Sequence, residues 1–378
     1  MLGSWVRAPS GSQDRALRCS IFVYVGVGMR GREIIFCTIF FLAGNTLGGW
    51  VPAAPLPYLL AAAVSAFLAL RFRNAAVILL CFLFLGVSGI QTDVCTQDDG
   101  PSAIAALAFR CKRSFSFFLE RFVPPGDELA VLKALAIGDK SDISRGLRQI
   151  YREAGAMHLL ALSGLHVGII YGIAFLALSF LGGSTPAKVF RSAVILLFLW
   201  GYAVVSGLSP SICRAVVMIT VYEISVFITN GRDGLSSLAA SALLITVFSP
   251  AAPQNIGFQL SYSAVLAIHT IHPRLNGLLD TKSRLLKAVW GSLSIAISCQ
   301  ATCGVLGWLY FGTFPRYFLL TNLLAVPLAT VVMYLIAASI ISSALPGLSG
   351  ICAVFLEKTL WILNKVLEII SGLDGIFF

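Results

Sequence analysis

The chain has 378 residues, of which 58% are hydrophobic and 12% charged. Soluble domains carry about 25% charged residues, so this composition excludes an ordinary soluble enzyme and points to an all-α, polytopic integral membrane bundle. The formal net charge of +10 reads first as anchoring on the inner face of a membrane, and any nucleic-acid role has to be argued from where the charges lie.

Residues 1–32 read as a cytoplasmic tail. Its start, MLGSWVRAPSGSQDRALRCS, is polar and patternless, while Met29 followed by RGRE makes a more ordinary beginning, so 1–28 reads as an upstream extension. No short apolar core followed by a small-residue cleavage site marks a signal peptide. A helix needs about 20 largely apolar residues to cross a bilayer. Candidate spans lie at 33–50, 56–70, 75–91, 157–181, 189–206, 211–229, 235–250, 254–271, 288–311, 317–344 and 351–371. The first two are short enough to be one re-entrant unit, giving about ten or eleven membrane-embedded helices. Residues 33–91 form an N-terminal membrane group, and 346–378 hold a C-terminal transmembrane helix.

Loop charges give the orientation. Arg7, Arg15, Arg18, Arg30 and Arg32 precede the first span, Arg71 and Arg73 follow the second, Lys188 and Arg191 precede the fifth, and Arg232 follows the sixth. The loop HPRLNGLLDTKSRLLK adds Arg274, Lys282, Arg284 and Lys287, whereas GLSP and SPAAPQN carry no Lys or Arg. With the N-terminus cytoplasmic, all the basic loops alternate onto the cytoplasmic face.

This topology places 92–156 outside, with nine Lys/Arg and nine Asp/Glu. Within 92–127, DDGPSAIAALAFRCKRSFSFFLERF opens on acidic residues and Pro101, a helix-start signal. Ile104, Leu107, Ala108, Cys111, Phe115, Phe118, Leu119 and Phe122 then form a helical apolar stripe, with Arg110, Arg113, Phe117 and Arg121 opposite, the pattern of a helix lying in a membrane interface. A second amphipathic helix follows in SDISRGLRQIYREAGA. Ile143, Leu147, Ile150, Tyr151 and Ala154 make its apolar face, and Arg145, Arg148 and Arg152 align at i, i+3 and i+7. Three aligned arginines suit successive phosphates of a polyanion, lipid headgroups or plain solvent.

Ionisable and amide groups inside membrane helices are costly and mark packing contacts or pathways. Arg214 and Glu223 share one span, nine residues and about 180° apart. Gln259 with Ser261 and Ser263, His269, Gln300 and Asn322 add polar points on others, and Pro327 in NLLAVPLATVVMYL is a helix-break candidate. Cys299 and Cys303 have no further ligands nearby and read as core packing.

MHLLALSGLHVGIIYG, residues 157–172, holds His158, Ser163, Gly164 and His166. The two histidines are about 80° apart around a helix and about 12 Å along it, which is wrong for a two-histidine zinc face. Ser163 with His269 as base would make an intramembrane serine hydrolase, but Ala161 stands where such enzymes tend to have glycine. Gly164, Gly168 and Gly172 form a small-xxx-small ladder for close helix packing, leaving His158, Ser163 and His166 on a neighbouring polar arc.

ALAIGDKSDISRGLRQIYREAGAMHLLALSGLHVGII (134–170), GLSPSICRAVVM (207–218), NIGFQLSYSAVLAI (255–268) and YFGTFPRYFLLTNLLAVPLA (310–329) occur in this order. Together they closely resemble the motifs of the ComEC competence proteins, which makes 128–345 a ComEC-like competence domain. The resemblance implies a multi-pass channel in the bacterial inner membrane that passes single-stranded DNA into the cytoplasm during natural transformation. It implies no catalytic set, cofactor or metal. Gly138, Asp139, Gly155, His158, Ser163, Gly164, His166, Arg214, Gln259, Ser261, Asn322 and Pro327 match the family's motif positions, and Glu223 joins them as a candidate on the path. Many family members also carry an oligonucleotide-binding barrel and a metallo-β-lactamase-like domain. Only about ten residues join the third span to the first amphipathic helix, and no His-x-His-x-Asp-His cluster is present. A short form with the transmembrane domain alone is therefore expected, and homo-oligomers are compatible with it. With no phosphate-binding Gly-x-x-x-x-Gly-Lys-[Ser/Thr] loop, separate receptor, nuclease and ATPase or helicase proteins are expected partners. The intramembrane hydrolase, and an orphan homologue moving another polyanion, are the alternatives.

Overall fold

The computed structural model describes residues 31–48, 61–62, 64–65, 82–83, 103–228, 233–312, 316–344 and 346–373. Most of the expected spans at 56–70 and 75–91, and nearly all of the tail, lie outside them. Among the described residues every regular element is helical. Four helices among the described residues are long and apolar enough to cross a membrane: α7 (Thr185–Val205), α8 (Pro210–Ile228), the run Arg284–Phe311 and α14 (Phe318–Ser342). The protein is a multi-pass helical membrane protein.

The chain divides into two compact units, with boundaries inside α8 and α10 (Ile256–Thr270). The first holds residues 1–100 and 217–262. There α1 (Gly31–Gly48) packs against α9 (Gly234–Phe248). Thr38 Oγ1 donates to the Ala239 carbonyl at 3.1 Å, and buried Asn45 Nδ2 to the Pro250 carbonyl at 2.5 Å. In an apolar helix pair such bonds fix register, because an unmet polar group there is expensive.

The second unit, 101–216 and 263–378, contains α2 (Ala103–Leu119), α3 (Asp127–Ile137), α4 (Arg145–Glu153), the one-turn α5 (Met157–Leu160), α6 (Gly164–Ala177), α7, α11 (His272–Asn276), α12 (Arg284–Cys299), α13 (Val305–Phe311), α14 and α15 (Pro346–Ser371). Its core gathers side chains of α3, α4, α5, α14 and α15. α3, DELAVLKALAI, is buried on every side from Leu129 onward, as a helix apolar all round must be.

Two expectations about elements are corrected. The span at 157–181 is not one helix: it is interrupted at 161–163 between α5 and α6. Pro327 does not break α14, which runs unbroken from Phe318 to Ser342. Proline removes one N–H and crowds one carbonyl, and the flanking hydrogen bonds of this long apolar helix hold. The C-terminal helix α15 is amphipathic. It carries Glu357, Lys358, Lys365 and Glu368 and buries Leu356, Leu360, Leu363, Leu367 and Ile370, a four–three spacing that makes one seam against α14, α3 and α4. Along the stripe of α2, Leu119 and Ala108 are buried and Ile104 and Leu107 are exposed. Between α12 and α13, Gln300–Gly304 forms one π-helical turn, beside which Thr302 Oγ1 donates to the Ser263 carbonyl at 3.3 Å.

Candidate functional site

In the second unit three local devices lie next to one another along the chain. The first is the end of α3. Gly138 adopts φ +66°, and its N–H donates to the Ala134 carbonyl while Asp139 N–H donates to Lys133, closing the helix. A Cβ at Gly138 would stand 2.7 Å from Leu162 Cδ1, so glycine is required both for the left-handed backbone and for the contact. Asp139 Oδ1 accepts from Ser141 N (3.2 Å) and Oγ (2.8 Å), which folds the turn. Lys112 of α2 donates to the Gly138 carbonyl at 3.3 Å. Lys133 is buried and bonds Glu120 at 2.9 Å and Asp142 at 2.7 Å. Burial alone would lower its pKa, but the hydrogen bonds and charges of those two carboxylates outweigh it, and the ammonium is held above its ordinary value.

The second device is α4. Ser144 caps it by accepting from Leu147 N–H at 3.1 Å. Leu147, Tyr151 and Ala154 are buried, and Arg145, Arg148 and Arg152 are exposed, as the sequence spacing anticipates. Two long-range bonds pin it: Tyr151 O–H donates to Asn364 Oδ1 at 2.9 Å, and Thr321 Oγ1 donates to the Ala154 carbonyl at 2.6 Å. The last satisfies a helix-end carbonyl with no intrahelical partner.

The third is the break before α6. Ser163 is extended and caps α6, and His166, at the third helical position, completes a capping box. The Ser163 N–H donates to His166 Nδ1 at 3.3 Å, and Ser163 Oγ lies 3.0 Å from the same nitrogen. His166 thus does what Glu or Gln does in the usual box; with Nδ1 accepting, the network assigns the ring proton to Nε2. His158 is exposed, its Nδ1 3.2 Å from the Gly155 carbonyl.

Ser163 and His269, the pair expected of a hydrolase, each have another partner in the structure. Ser163 is engaged with His166 in a cap, and His269 Nδ1 sits 2.9 Å from the Val265 carbonyl of its own helix. Nδ1 of His166 already faces the Ser163 N–H, so it is not an idle base. The glycine ladder is corrected. A Cβ at Gly164 would meet Ala215 at 3.9 Å, but at Gly168 and Gly172 it would meet nothing within 4 Å, so those two do not mediate close helix contact among the described residues. No group of three or more His, Cys, Asp or Glu that could hold a metal occurs among the described residues.

Of the residues singled out in the sequence, Gly138, the segment around Ser163, and Gly164 against Ala215, next to half-buried Arg214, are joined through direct contacts. Asn322 follows Thr321, the anchor of α4. Glu223, Gln259 and Ser261 belong to the first unit. There Glu223 is buried, Gln259 Nε2 donates to the Pro253 carbonyl at 2.9 Å, and Ser261 Oγ to the Gly257 carbonyl at 2.8 Å. Sequence reasoning missed Lys112, Lys133 and Lys140, which shape the turn, and Thr321, Tyr151 O–H and Asn364, which dock α4. The charge of the lysines was visible, but their convergence on one turn is tertiary.

The family model described as Competence protein matches residues 135–378, more than half of the chain. ComE operon protein 3 of Bacillus subtilis (strain 168) is 32% identical over 151 residues, 40% of this chain and 19% of that protein. Competence protein ComA of Neisseria gonorrhoeae is 30% identical over 151 residues, 38% of this chain and 21% of that protein. Recombination protein 2 of Haemophilus influenzae is 29% identical over 142 residues, 36% of this chain and 18% of that protein. The similarity therefore spans about a fifth of each of these relatives. No solved structure matches the chain. With the motifs, the helical membrane fold and the family match in agreement, the chain belongs to the competence protein (ComEC/Rec2) family.

Proposed function

We propose that this protein takes part in DNA uptake during natural competence, as a multi-pass component of the bacterial inner membrane through which single-stranded DNA passes inward. The observation that carries this reading is α4. Its apolar face is locked into the core, and its three arginines point away from it, with no carboxylate partner among the described residues. A rigid helix presenting unpaired guanidinium groups at i, i+3 and i+7 is a phosphate-binding face. The break at 161–163 supports the same reading, because non-helical backbone at membrane depth is tolerated where protein or a water-filled cavity covers it. Replacing Arg145, Arg148 and Arg152 together with Ala is expected to lower DNA uptake on the order of tenfold or more, with membrane-protein level unchanged. Uptake equal to wild type would remove α4 from the DNA path.

A further inference from the structure

The turn between α3 and α4 carries a second concentration of positive charge that the arginine spacing does not reveal. Lys112 reaches from α2 to the Gly138 carbonyl at 3.3 Å, which sets its ammonium on the turn that bears Lys140 two residues later. The Lys140 carbonyl accepts from Ile143 N–H at 3.3 Å, and Arg148 N–H donates to the Ser144 carbonyl, so the turn folds directly into the first turns of α4. Two of the nearby carboxylates are committed to Lys133, and Asp139 keeps its charge on the turn. Asp139 holds Ser141, Asp142 and Glu120 hold Lys133, and Glu153 accepts from Gln149. Lys112, Lys140 and Arg148 have no ion-pair partner among the described residues. Three cations against the one uncommitted carboxylate of Asp139 leave the turn net positive, and like charges gathered in this way favour an anion between them.

We infer that Lys112, Lys140 and Arg148 form a phosphodiester-binding cluster for single-stranded nucleic acid, extending the arginine face of α4 onto the turn and onto α2. Half-buried Lys140 supports this independently: burial, then the charges of Arg148 and Lys112, push its pKa below the ordinary lysine value. A bound phosphate would reverse that repulsion. This inference rests on the reading of α4 as a phosphate face, and its test separates the two.

The full chain, purified in a neutral detergent, is titrated against a fluorescent oligothymidylate at several salt concentrations. Each phosphate contact to a single strand contributes about 0.7 to the slope of log affinity against log salt. The double variant Lys112→Gln/Lys140→Gln is expected to lower the slope by about 1.4, and Lys140→Gln, which removes a repelled charge and keeps the Lys112 hydrogen bond, is expected to leave the thermal midpoint no lower than wild type. Lys140→Arg, which keeps the charge, is expected to keep the slope. Lys140→Gln alone is expected to lose about 0.7, which preserves the test if the double variant is not monodisperse. A slope unchanged in both Gln variants, with the triple-arginine variant reduced, overturns the cluster and leaves α4 standing. Absence of oligonucleotide binding by the unaltered chain overturns both. An unchanged slope, together with weaker retention of phosphatidylglycerol in mixed micelles, assigns the cluster to lipid headgroups and overturns the nucleic-acid inference.

Discussion

Lys133 is the only charged residue in the buried stretch 129–137, and its neighbours explain why it is tolerated. Its side chain is 8% exposed, while those of Glu120 and Asp142 are 42% and 49% exposed. The cost of burial therefore falls on the lysine, and the two carboxylates return part of it. This asymmetry makes the variants unequal. Glu120→Gln with Asp142→Asn strands the ammonium, and is expected to lower unfolding free energy by about 1–2 kcal/mol, below the 3–5 kcal/mol of a dry pair because both acids are screened by water. Lys133→Met leaves two carboxylates that rehydrate and keeps the aliphatic volume, so its cost is expected within about 1 kcal/mol. Thermal unfolding in detergent ranks them, and equal losses would refute the asymmetry. The pH dependence has two edges. The hydrogen bond from Lys133 holds Asp142 below the ordinary carboxylate value, so its contribution is full above about pH 4 and is lost as pH falls through the lower folded value. Lys133 is held above its ordinary value of 10.5, so its contribution is full below about pH 10 and is lost as pH rises through the higher folded value. Stability from this triad is expected to be flat between those edges, a profile that Lys133→Met should abolish.

At the level of the element, α4 is nine residues long, too short to be stable alone, and its rigidity comes from docking. Thr321→Val removes the hydroxyl that bonds the Ala154 carbonyl and leaves a buried acceptor unmet, a loss of about 1–3 kcal/mol. Amide exchange over 145–154 is expected to quicken in that variant while α15 stays protected, and Thr321→Ser, which keeps the donor, is expected to behave as wild type. Equal protection in Thr321→Val would show that apolar contacts alone hold the helix. The face of α4 was legible because Ile143, Leu147, Tyr151 and Ala154 repeat with the helical period. The bonds that hold it were not, since Tyr151 and Asn364 lie 213 positions apart and no local pattern links them. The break at 161–163 escaped a hydropathy reading because LLALSGLHVG stays apolar through it. The signal was chemical: Ser163 three residues before His166 is a capping pattern with an unusual third member. Gly168 and Gly172 show the opposite failure, for spacing says that residues share a face and not that anything covers it.

For the whole molecule, the decisive quantity is the side of the membrane on which α4 lies. From the alternation of basic loops with loops lacking Lys and Arg we propose that the segment 277–283 lies inside and α4 outside. Arg145, Arg148 and Arg152 then run against the positive-inside bias. Charges that orientation does not require need another cause, and phosphate binding at an outer mouth supplies one. If α4 instead lay inside, the same arginines would be accounted for by orientation alone. The two arrangements differ in a direct measurement. With the nine native cysteines replaced, single cysteines are introduced at exposed Arg145 and exposed Lys282 and treated with a membrane-impermeant maleimide on intact spheroplasts. Arg145→Cys is expected to label at once, and Lys282→Cys only after permeabilisation. The reverse pattern would move α4 to the cytoplasmic side, where it would meet a strand that has already crossed, and the proposed entry face would have to be sought on another element. Labelling of Arg145→Cys that slows when oligothymidylate is added would tie the outer position to strand contact, because a bound phosphate backbone shields the sulfur from the reagent.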